Sequence, residues 1–295
     1  MTKTEKRESK AFLSKAKLDP LRKDRLVVLA DTQAPFHLPQ AIALACAYIA
    51  DYKPAALVLN GDIPDFFTIS KFKRLGDSTT KVVDEIKITL AEVLEPIIQT
   101  ARKANPAVKI WWVGGNHEYR LARFIAYKAP ELEGLRGTTI PDAFGLDKLG
   151  VKYIDSVAGN GILRLSKTLT CMHGTRHGIN PAKQTYDDWG ASAIIGHAHK
   201  EATYRKKWGC GDRDDVIVAS GCLCADPSFA DMNQYTRGFV SGWYQPDGEE
   251  FFLQHIRISG KDHTQMYVPD GEYNAKYFKQ AHFEDGRGVW KVTRS

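Results

Sequence analysis

Side chains that can bind metal ions follow apolar segments at five places along the chain. Each apolar segment has the length and composition of a strand, so these side chains would lie at strand carboxyl ends, where the sites of α/β folds collect. Carboxylate, amide and imidazole groups together suit cations of hard to borderline character. The five motifs are Asp31-Thr-Gln33, Gly61-Asp62-Ile-Pro-Asp65, Gly115-Asn116-His117-Glu118, His173-Gly174 and Gly196-His197-Ala-His199.

The segments around these motifs predict a mixed α/β fold. Residues 26–30 and 56–60 read as strands joined by a helix over residues 39–52, which favours a β-α-β unit with parallel strands. A longer helical pattern covers residues 79–104, and Pro96 inside it is expected to kink or split the helix. A strand over 108–113 and a helix over 118–127 follow. Later strands are predicted at 151–154, 162–165, 169–172, 193–195, 216–219, 239–244 and 251–258.

The chain divides into three predicted parts. Residues 1–24 form a basic N-terminal arm, residues 25–260 form one domain, and residues 261–295 form a C-terminal extension. The extension has no clear periodicity, and it either packs over the core or binds a partner. The net charge is +6, and residues 1–25 contribute an excess of +5 from nine basic and four acidic residues. Such an arm either binds nucleic acid or is a solvated terminus.

Composition limits the class of protein. No apolar run approaches the roughly 20 residues that span a bilayer, and the N-terminus lacks the apolar segment of a secretory signal. We therefore expect a soluble cytoplasmic protein with no membrane partner. The five cysteines do not suggest a disulfide framework. Cys222 and Cys224, with Cys210 nearby, could be thiolate ligands of zinc, but no second cysteine pair or suitably spaced histidine completes such a site, and buried or loop thiols are the favoured interpretation.

Taken together, the motifs resemble those of the calcineurin-like metallophosphoesterases. That family carries D-x-H, G-D-x-x-D/Y/R, G-N-H-E/D, H and G-H-x-H in this order, and the resemblance covers roughly residues 25–225. It implies a four-layer α-β-β-α sandwich, with two mixed sheets packed face to face and helices outside. Shorter segments also resemble superfamily members carried by bacteriophages, which would place the protein in the host cytoplasm.

The resemblance implies a centre for two divalent metal ions. Asp62 would bridge them, because a shared anionic oxygen offsets the repulsion between two close cations. One ion would be bound by Asp31, Gln33 and His199, and the other by Asn116, His173 and His197.

Gln33 stands where the family has histidine. An amide oxygen is a neutral and weaker ligand than imidazole, which favours Mn²⁺ over Zn²⁺, with Mg²⁺ and Fe as further alternatives. Glutamine here also resembles the manganese-dependent ADP-ribose/CDP-alcohol diphosphatase branch. The alternative is that His37 swings in as the missing ligand.

His117 follows a predicted ligand, and the resemblance implies that it donates a proton to the leaving oxygen after attack by metal-activated water. Imidazole side chains suit general acid catalysis. Asp65 either orients His117 or caps a helix that begins at Phe66. Arg176 and His177 are the preferred phosphate-binding pair and Arg120 is a third candidate, although each is equally well explained as an exposed charge.

These features predict a dinuclear, manganese-dependent phosphoesterase that cleaves phosphodiesters, with nucleic acid as a candidate substrate. A nucleotide diphosphatase and a phosphomonoesterase are the alternatives, and a non-catalytic binding module is a third. Phe66 occupies the place of an arginine in the Ser/Thr phosphatases, which argues against that branch. Neither the natural substrate nor the oligomeric state follows from the sequence.

Overall fold

The computed structural model describes residues 22–71, 80–155, 160–209, 214–226, 235–269, 271–279 and 288–294. Most of the basic arm, together with Cys210, lies outside these ranges. None of the helices within them is long and apolar enough to cross a membrane.

Fourteen strands lie within the described ranges. They are β1 (Asp24–Leu29), β2 (Ala56–Asn60), β3 (Lys109–Val113), β4 (Lys152–Ile154), β5 (Ile162–Arg164), β6 (Thr170–Met172), β7 (Ala193–Ile195), β8 (Ala202–Lys207), β9 (Asp214–Ala219), β10 (Arg237–Tyr244), β11 (Phe251–Ser259), β12 (Gln265–Val268), β13 (Gly271–Lys279) and β14 (Gly288–Arg294). The α-helices are α1 (Pro39–Tyr52), α2 (Val82–Ile88), α3 (Glu95–Ala104), α4 (Glu118–Lys128), α5 (Ile140–Phe144), α6 (Leu146–Leu149) and α7 (Pro181–Trp189).

The strands form two mixed sheets. The larger has the order β14-β13-β12-β11-β10-β1-β2-β3-β4, and the smaller has the order β5-β6-β7-β9-β8. Strands β1 to β4 run parallel, as do β6, β7 and β9. The carboxyl ends of each parallel set therefore share one edge of their sheet, which is the geometry that the motif spacing predicts.

Alternating side chains along the strands build the layers. On β1, Val27 and Leu29 belong to the apolar cluster that also contains residues of α1 and α3. Leu26 and Val28 belong to a second cluster with residues of the smaller sheet. A third cluster joins the smaller sheet to α7. Helices therefore cover the outer faces of two packed sheets, and the expected four-layer α-β-β-α sandwich is confirmed.

The long predicted helix is split just before Pro96, as expected. A π-helical segment, Thr89–Leu94, lies between α2 and α3, so that Pro96 falls in the first turn of α3. Proline lacks an N–H and its ring clashes with the preceding turn of an α-helix. The wider π turn removes that clash while the apolar face stays on the sheet.

Several elements carry weak sequence signals. Strand β8 is a largely exposed edge strand of the smaller sheet, so it lacks an apolar run. Strands β12, β13 and β14 continue the larger sheet from β11 through antiparallel pairing. The division of the chain at residue 260 stays a prediction, but the segment beyond it contributes strands to the same sheet. Helix α7 begins at Pro181 and was not predicted.

Candidate metal centre

All five motifs converge where the carboxyl ends of the two sheets meet. The loops after β1, β2 and β3 come from the larger sheet, and those after β6 and β7 come from the smaller sheet. Backbone contacts join the loops, since the amide of Asp31 donates to the carbonyl of Gly61 and the amide of Gly196 donates to that of His173. The sandwich thus brings together side chains separated by up to 168 residues in the sequence, from Asp31 to His199.

Much of this backbone adopts a conformation that is uncommon for residues with a side chain. Five of the seven predicted ligands have φ between 48° and 65°. A non-glycine residue in the left-handed region costs of the order of 1 kcal/mol or more, and such residues cluster at functional sites. The five are Asp31, Gln33, Asp62, His197 and His199.

The side chains predicted to bind the first ion lie next to His199. Its Nε2 lies 3.2 Å from Oδ1 of Asp31 and 3.1 Å from Nε2 of Gln33. Both oxygens of Asp31 also accept from the amide of His197, which fixes the carboxylate plane. Gln33 presents its amide nitrogen in this arrangement. Ligation needs Oε1 instead, which half a turn of the amide group supplies.

The side chains predicted to bind the second ion lie next to His173. Its Nε2 lies 3.2 Å from Oδ2 of Asp62 and 3.2 Å from Oδ1 of Asn116. The ring of His197 stands edge-on to that of His173, with 5.3 Å between centroids. Nδ1 of His173 faces the carbonyl of Asn60 at 2.8 Å, which leaves Nε2 directed at the carboxylate and the amide oxygen.

Two glycines make the close approach possible. A Cβ on Gly61 would collide with the His173 ring, and a Cβ on Gly115 would collide with the Asp62 carboxylate. Gly61 also has φ +82°, a region that favours glycine. The glycines of the second and third motifs therefore act by giving the ligand side chains room.

Burial and neighbouring charges set the protonation states of the metal-free centre. Burial would lower the pKa of His173, but the Asp62 carboxylate outweighs it and raises that pKa to about 10. His199 behaves in the same way beside Asp31, and its pKa is raised to about 9. Burial and the charge of His173 lower the pKa of His197 to about 4. Burial alone would raise the pKa of Asp62, but His117 and His173 hold it well below its usual range.

The donor set fits divalent cations. Asp31 and Asp62 are buried carboxylates, and each faces an imidazole nitrogen across about 3 Å, where in the absence of metal a proton must hold the pair together. One ligand atom from each of Asp62, His173 and His197 lies within 4.8 Å of the others. Together with Asn116 and Gln33, these groups could hold divalent cations.

Metal loading is expected to release protons. With their pKa values raised to about 10 and about 9, His173 and His199 carry a proton at neutral pH in the metal-free protein, and each loses it when Nε2 becomes a ligand. His197 is already neutral there and releases none. Metal affinity should therefore rise as the pH increases from 7 towards 9. Calorimetry of Mn²⁺ binding in buffers with different ionisation enthalpies measures the proton count, and a count near zero would contradict this protonation scheme.

His117, Asp65 and Arg120 form a connected group beside Asp62. The amide of His117 donates to Oδ1 of Asp62 at 2.9 Å, and its ring Nε2 lies 3.5 Å from Oδ2. Nδ1 of His117 lies 3.4 Å from Oδ2 of Asp65. Arg120 donates to the carbonyl and to Oδ1 of Asp65, and its Nη2 lies 2.8 Å from Nε2 of His117.

The alternative role for Asp65 as a helix cap is wrong. The helical turn nearby is a short 3₁₀ segment, Phe67–Ile69, and Phe66 before it has a left-handed backbone. The amides of Phe67 and Thr68 donate to the carboxylate of Glu85 on α2. Asp65 is thereby left to contact His117 and Arg120.

The predicted phosphate-binding residues and the alternative ligand His37 differ in exposure and in the groups that they contact. His177 is exposed, and its ring lies 5.7 Å from that of His197, so it stands beside the centre. Arg176 is exposed and makes a bidentate pair with Asp188 of α7, at 2.6 and 3.0 Å. His37 is buried with Nε2 3.2 Å from the carboxylate of Glu92, which directs it to the π-helical segment, whereas Gln33 faces His199.

Glu118 supports the centre in a way that sequence reasoning missed. Its buried carboxylate accepts from the amides of Asp62, Ile63 and Gly115 and from the indole of Trp112, at 2.8 to 3.1 Å. Burial and the neighbouring Asp62 raise its pKa. The signal was present in the sequence, because an acidic residue at the first position of a helix, directly after a ligand motif, can accept from several loop amides.

The chain is similar in sequence to known proteins. Residues 24–221 match the calcineurin-like phosphoesterase family. The Gene 54 protein of Mycobacterium phage D29 is 25% identical over 232 residues, which cover 74% of this chain and 85% of the phage protein. The Gene 54 protein of Mycobacterium phage L5 is 23% identical over 229 residues, with the same two coverages of 74% and 85%.

Solved structures are more distant. The Pseudomonas putida nuclease MPE is 12% identical with a TM-score of 0.34, over 78% of this chain and 87% of the nuclease. Vacuolar protein sorting 29 from Cryptosporidium parvum is 13% identical with a TM-score of 0.34, over 92% of this chain and 98% of that protein. At these values neither likeness bears on function. The family match spans more than half of the sequence and includes all five motifs, and the chain therefore belongs to the calcineurin-like phosphoesterase family.

Proposed function

We propose that the protein is a dinuclear metal-dependent phosphoesterase that hydrolyses phosphodiester bonds, with Mn²⁺ as its preferred ion. The observation that carries this proposal is the position of Asp62. Its buried carboxylate lies between His173 at 3.2 Å and His117 at 3.5 Å, so that a predicted metal ligand and a predicted proton donor share one anion.

Asp31, Gln33, Asp62, Asn116, His173, His197 and His199 would hold the two ions. When bound, the ions supply Lewis-acid activation of water and of the phosphoryl group. Asp62 contributes negative charge where two cations would otherwise repel each other. The strained left-handed backbone of five ligands holds these groups in position before substrate arrives, which reduces the reorganisation needed during reaction.

His117 supplies the proton to the leaving oxygen in this proposal. Arg120 is always a donor, so the nitrogen of His117 that it contacts, Nε2, is an acceptor here and the ring proton lies on Nδ1, towards Asp65. For acid catalysis, Nε2 of His117 must lose its contact with Arg120 and take up a proton. Asp65 then stabilises the charged ring through Nδ1, and a displaced Arg120 is free to meet a phosphoryl oxygen.

The phosphate-binding roles follow from exposure and neighbours. His177 stands beside His197 and is open to solvent, which suits contact with a substrate that reaches the ions. Arg176 can bind phosphate only in competition with Asp188, which already holds it. The basic N-terminal arm would add sequence-independent affinity for nucleic acid, which makes a nuclease one form of the proposed activity.

Gln33 favours a second candidate function, a manganese-dependent nucleotide diphosphatase. The amide makes the first ion site weaker and less suited to zinc than imidazole would. Such an enzyme would act on a small diphosphate rather than on a simple diester. A phosphomonoesterase has no observation of its own in its favour.

The test compares hydrolysis of bis-p-nitrophenyl phosphate and p-nitrophenyl phosphate with Mn²⁺ added. We expect the diester to be preferred. A monoester preference would overturn the diesterase assignment. Inactivity towards both, with two metal equivalents bound, would favour the diphosphatase and would direct the next assay to ADP-ribose. Inactivity without stable metal binding would favour a non-catalytic binding module.

A further inference from the structure

Two buried thiols stand behind the ring of His199, on the side opposite the predicted centre. Nε2 of His199 faces Asp31 and Gln33, and its other nitrogen, Nδ1, lies 3.9 Å from Sγ of Cys224. Cys222 completes the group, since one ligand atom from each of the three residues lies within 4.8 Å of the other two. All three side chains are buried.

Backbone contacts hold the segment that carries both sulfurs. Residues 222–224 lie between β9 and β10, with a bend at Leu223. Cys222 forms an isolated bridge with Arg237, and Cys224 forms one with His37. Leu223 packs in the large apolar cluster. Its amide donates to the carbonyl of Asp31 at 3.1 Å, which ties the segment to the first motif.

We propose that Nδ1 of His199 and the sulfurs of Cys222 and Cys224 form a site for a thiophilic divalent cation such as Zn²⁺, which adjoins the oxygen-rich dinuclear centre and shares His199 with it. Zinc binds thiolate sulfur at about 2.3 Å and imidazole nitrogen at about 2.0 Å, so tetrahedral ligands of these two kinds lie about 3.5 Å apart. The observed 3.9 Å requires only a small contraction. Binding releases the two thiol protons to solvent, and water or an added thiol supplies the fourth ligand.

The thiolate site and the dinuclear centre would bind different cations, because their ligands differ in softness. Thiolates select zinc and similar ions, whereas carboxylate and amide oxygens suit Mn²⁺ and Mg²⁺. The proposed site shares His199 with the dinuclear centre. A ring that binds zinc through Nδ1 keeps its proton on Nε2 and is lost as a ligand to the first ion. This competition rests on the proposed function, whereas the thiolate site itself does not.

The test uses the full chain stripped of metal and titrated with Co²⁺ as a spectroscopic probe. A thiolate-to-cobalt charge-transfer band is expected, and the dinuclear centre cannot produce it because its predicted ligands contain no sulfur. The band should disappear in Cys222→Ser and in Cys224→Ser. It should persist in the controls Cys46→Ser, Cys171→Ser and Cys210→Ser. Absence of the band in the unmodified protein, or its persistence in both Cys222→Ser and Cys224→Ser, would overturn the proposal.

A measurement on the unmodified protein covers the case in which the variants fail to fold. X-ray absorption of the chain loaded with one equivalent of Zn²⁺ should show sulfur at about 2.3 Å from zinc. A first shell made only of nitrogen and oxygen would overturn the site. The competition has its own readout. Zinc added to the Mn²⁺-loaded protein should lower the Mn²⁺ retained after desalting, and unchanged retention with sulfur-bound zinc would overturn the competition alone.

Discussion

Replacement of Asp62 by asparagine is expected to abolish phosphoester hydrolysis and to lower metal content. The substitution preserves the shape of a side chain that is 1% exposed, but it removes a charge that His173 and His117 both contact. A neutral amide cannot offset the repulsion between two ions. Loss of a group that stabilises the reacting centre costs roughly a hundred- to a thousand-fold in kcat, and loss of the ions adds to this.

The measurements are turnover of bis-p-nitrophenyl phosphate and metal content by mass spectrometry after desalting. Asp187→Asn is the matched control, because Asp187 is an exposed carboxylate on α7 that pairs with Lys183. It should behave as the unmodified protein does. If Asp62→Asn retained both metal equivalents and normal turnover, the bridging role of Asp62 would be wrong.

Replacement of His117 by asparagine should leave the metal content intact and slow the reaction. His117 contacts Asp62 and Asp65 but belongs to neither predicted set of ligands. General acid catalysis contributes roughly 10² to 10⁴ in rate. The loss should be largest for an alkyl phosphodiester, whose leaving oxygen needs a proton. It should be smallest for bis-p-nitrophenyl phosphate, whose nitrophenolate leaves without one.

The informative quantity is therefore the ratio of the two losses in kcat, together with the metal content of the same samples. His255→Asn serves as the control, since His255 lies on β11 and contacts Thr203 of β8. Equal losses on both substrates would point to a positioning role for His117. Full activity on the alkyl ester would rule out the general acid assignment.

The sequence by itself determined the parts of this protein that depend on local pattern. Apolar runs fixed β2 and β7 to the residue, and the helix over Pro39–Tyr52 also has its predicted bounds. The motifs indicated the family. They also indicated the candidate ligands, because the position of a side chain directly after a parallel strand is a local property. Some elements were not predicted from the sequence, because edge strands such as β8 bury little surface and leave little hydrophobic signal.

Tertiary structure alone decided which groups meet. The two sheets must pack face to face before His173 can reach Asp62 and before His199 can reach Asp31. Sequence spacing could not separate the two roles of Asp65, which depend on Glu85 satisfying the amides of the neighbouring turn. Nor could it show that Cys222 and Cys224 lie behind His199. Such contacts are set by long-range packing and by backbone conformations with positive φ, and neither leaves a periodic trace in the sequence.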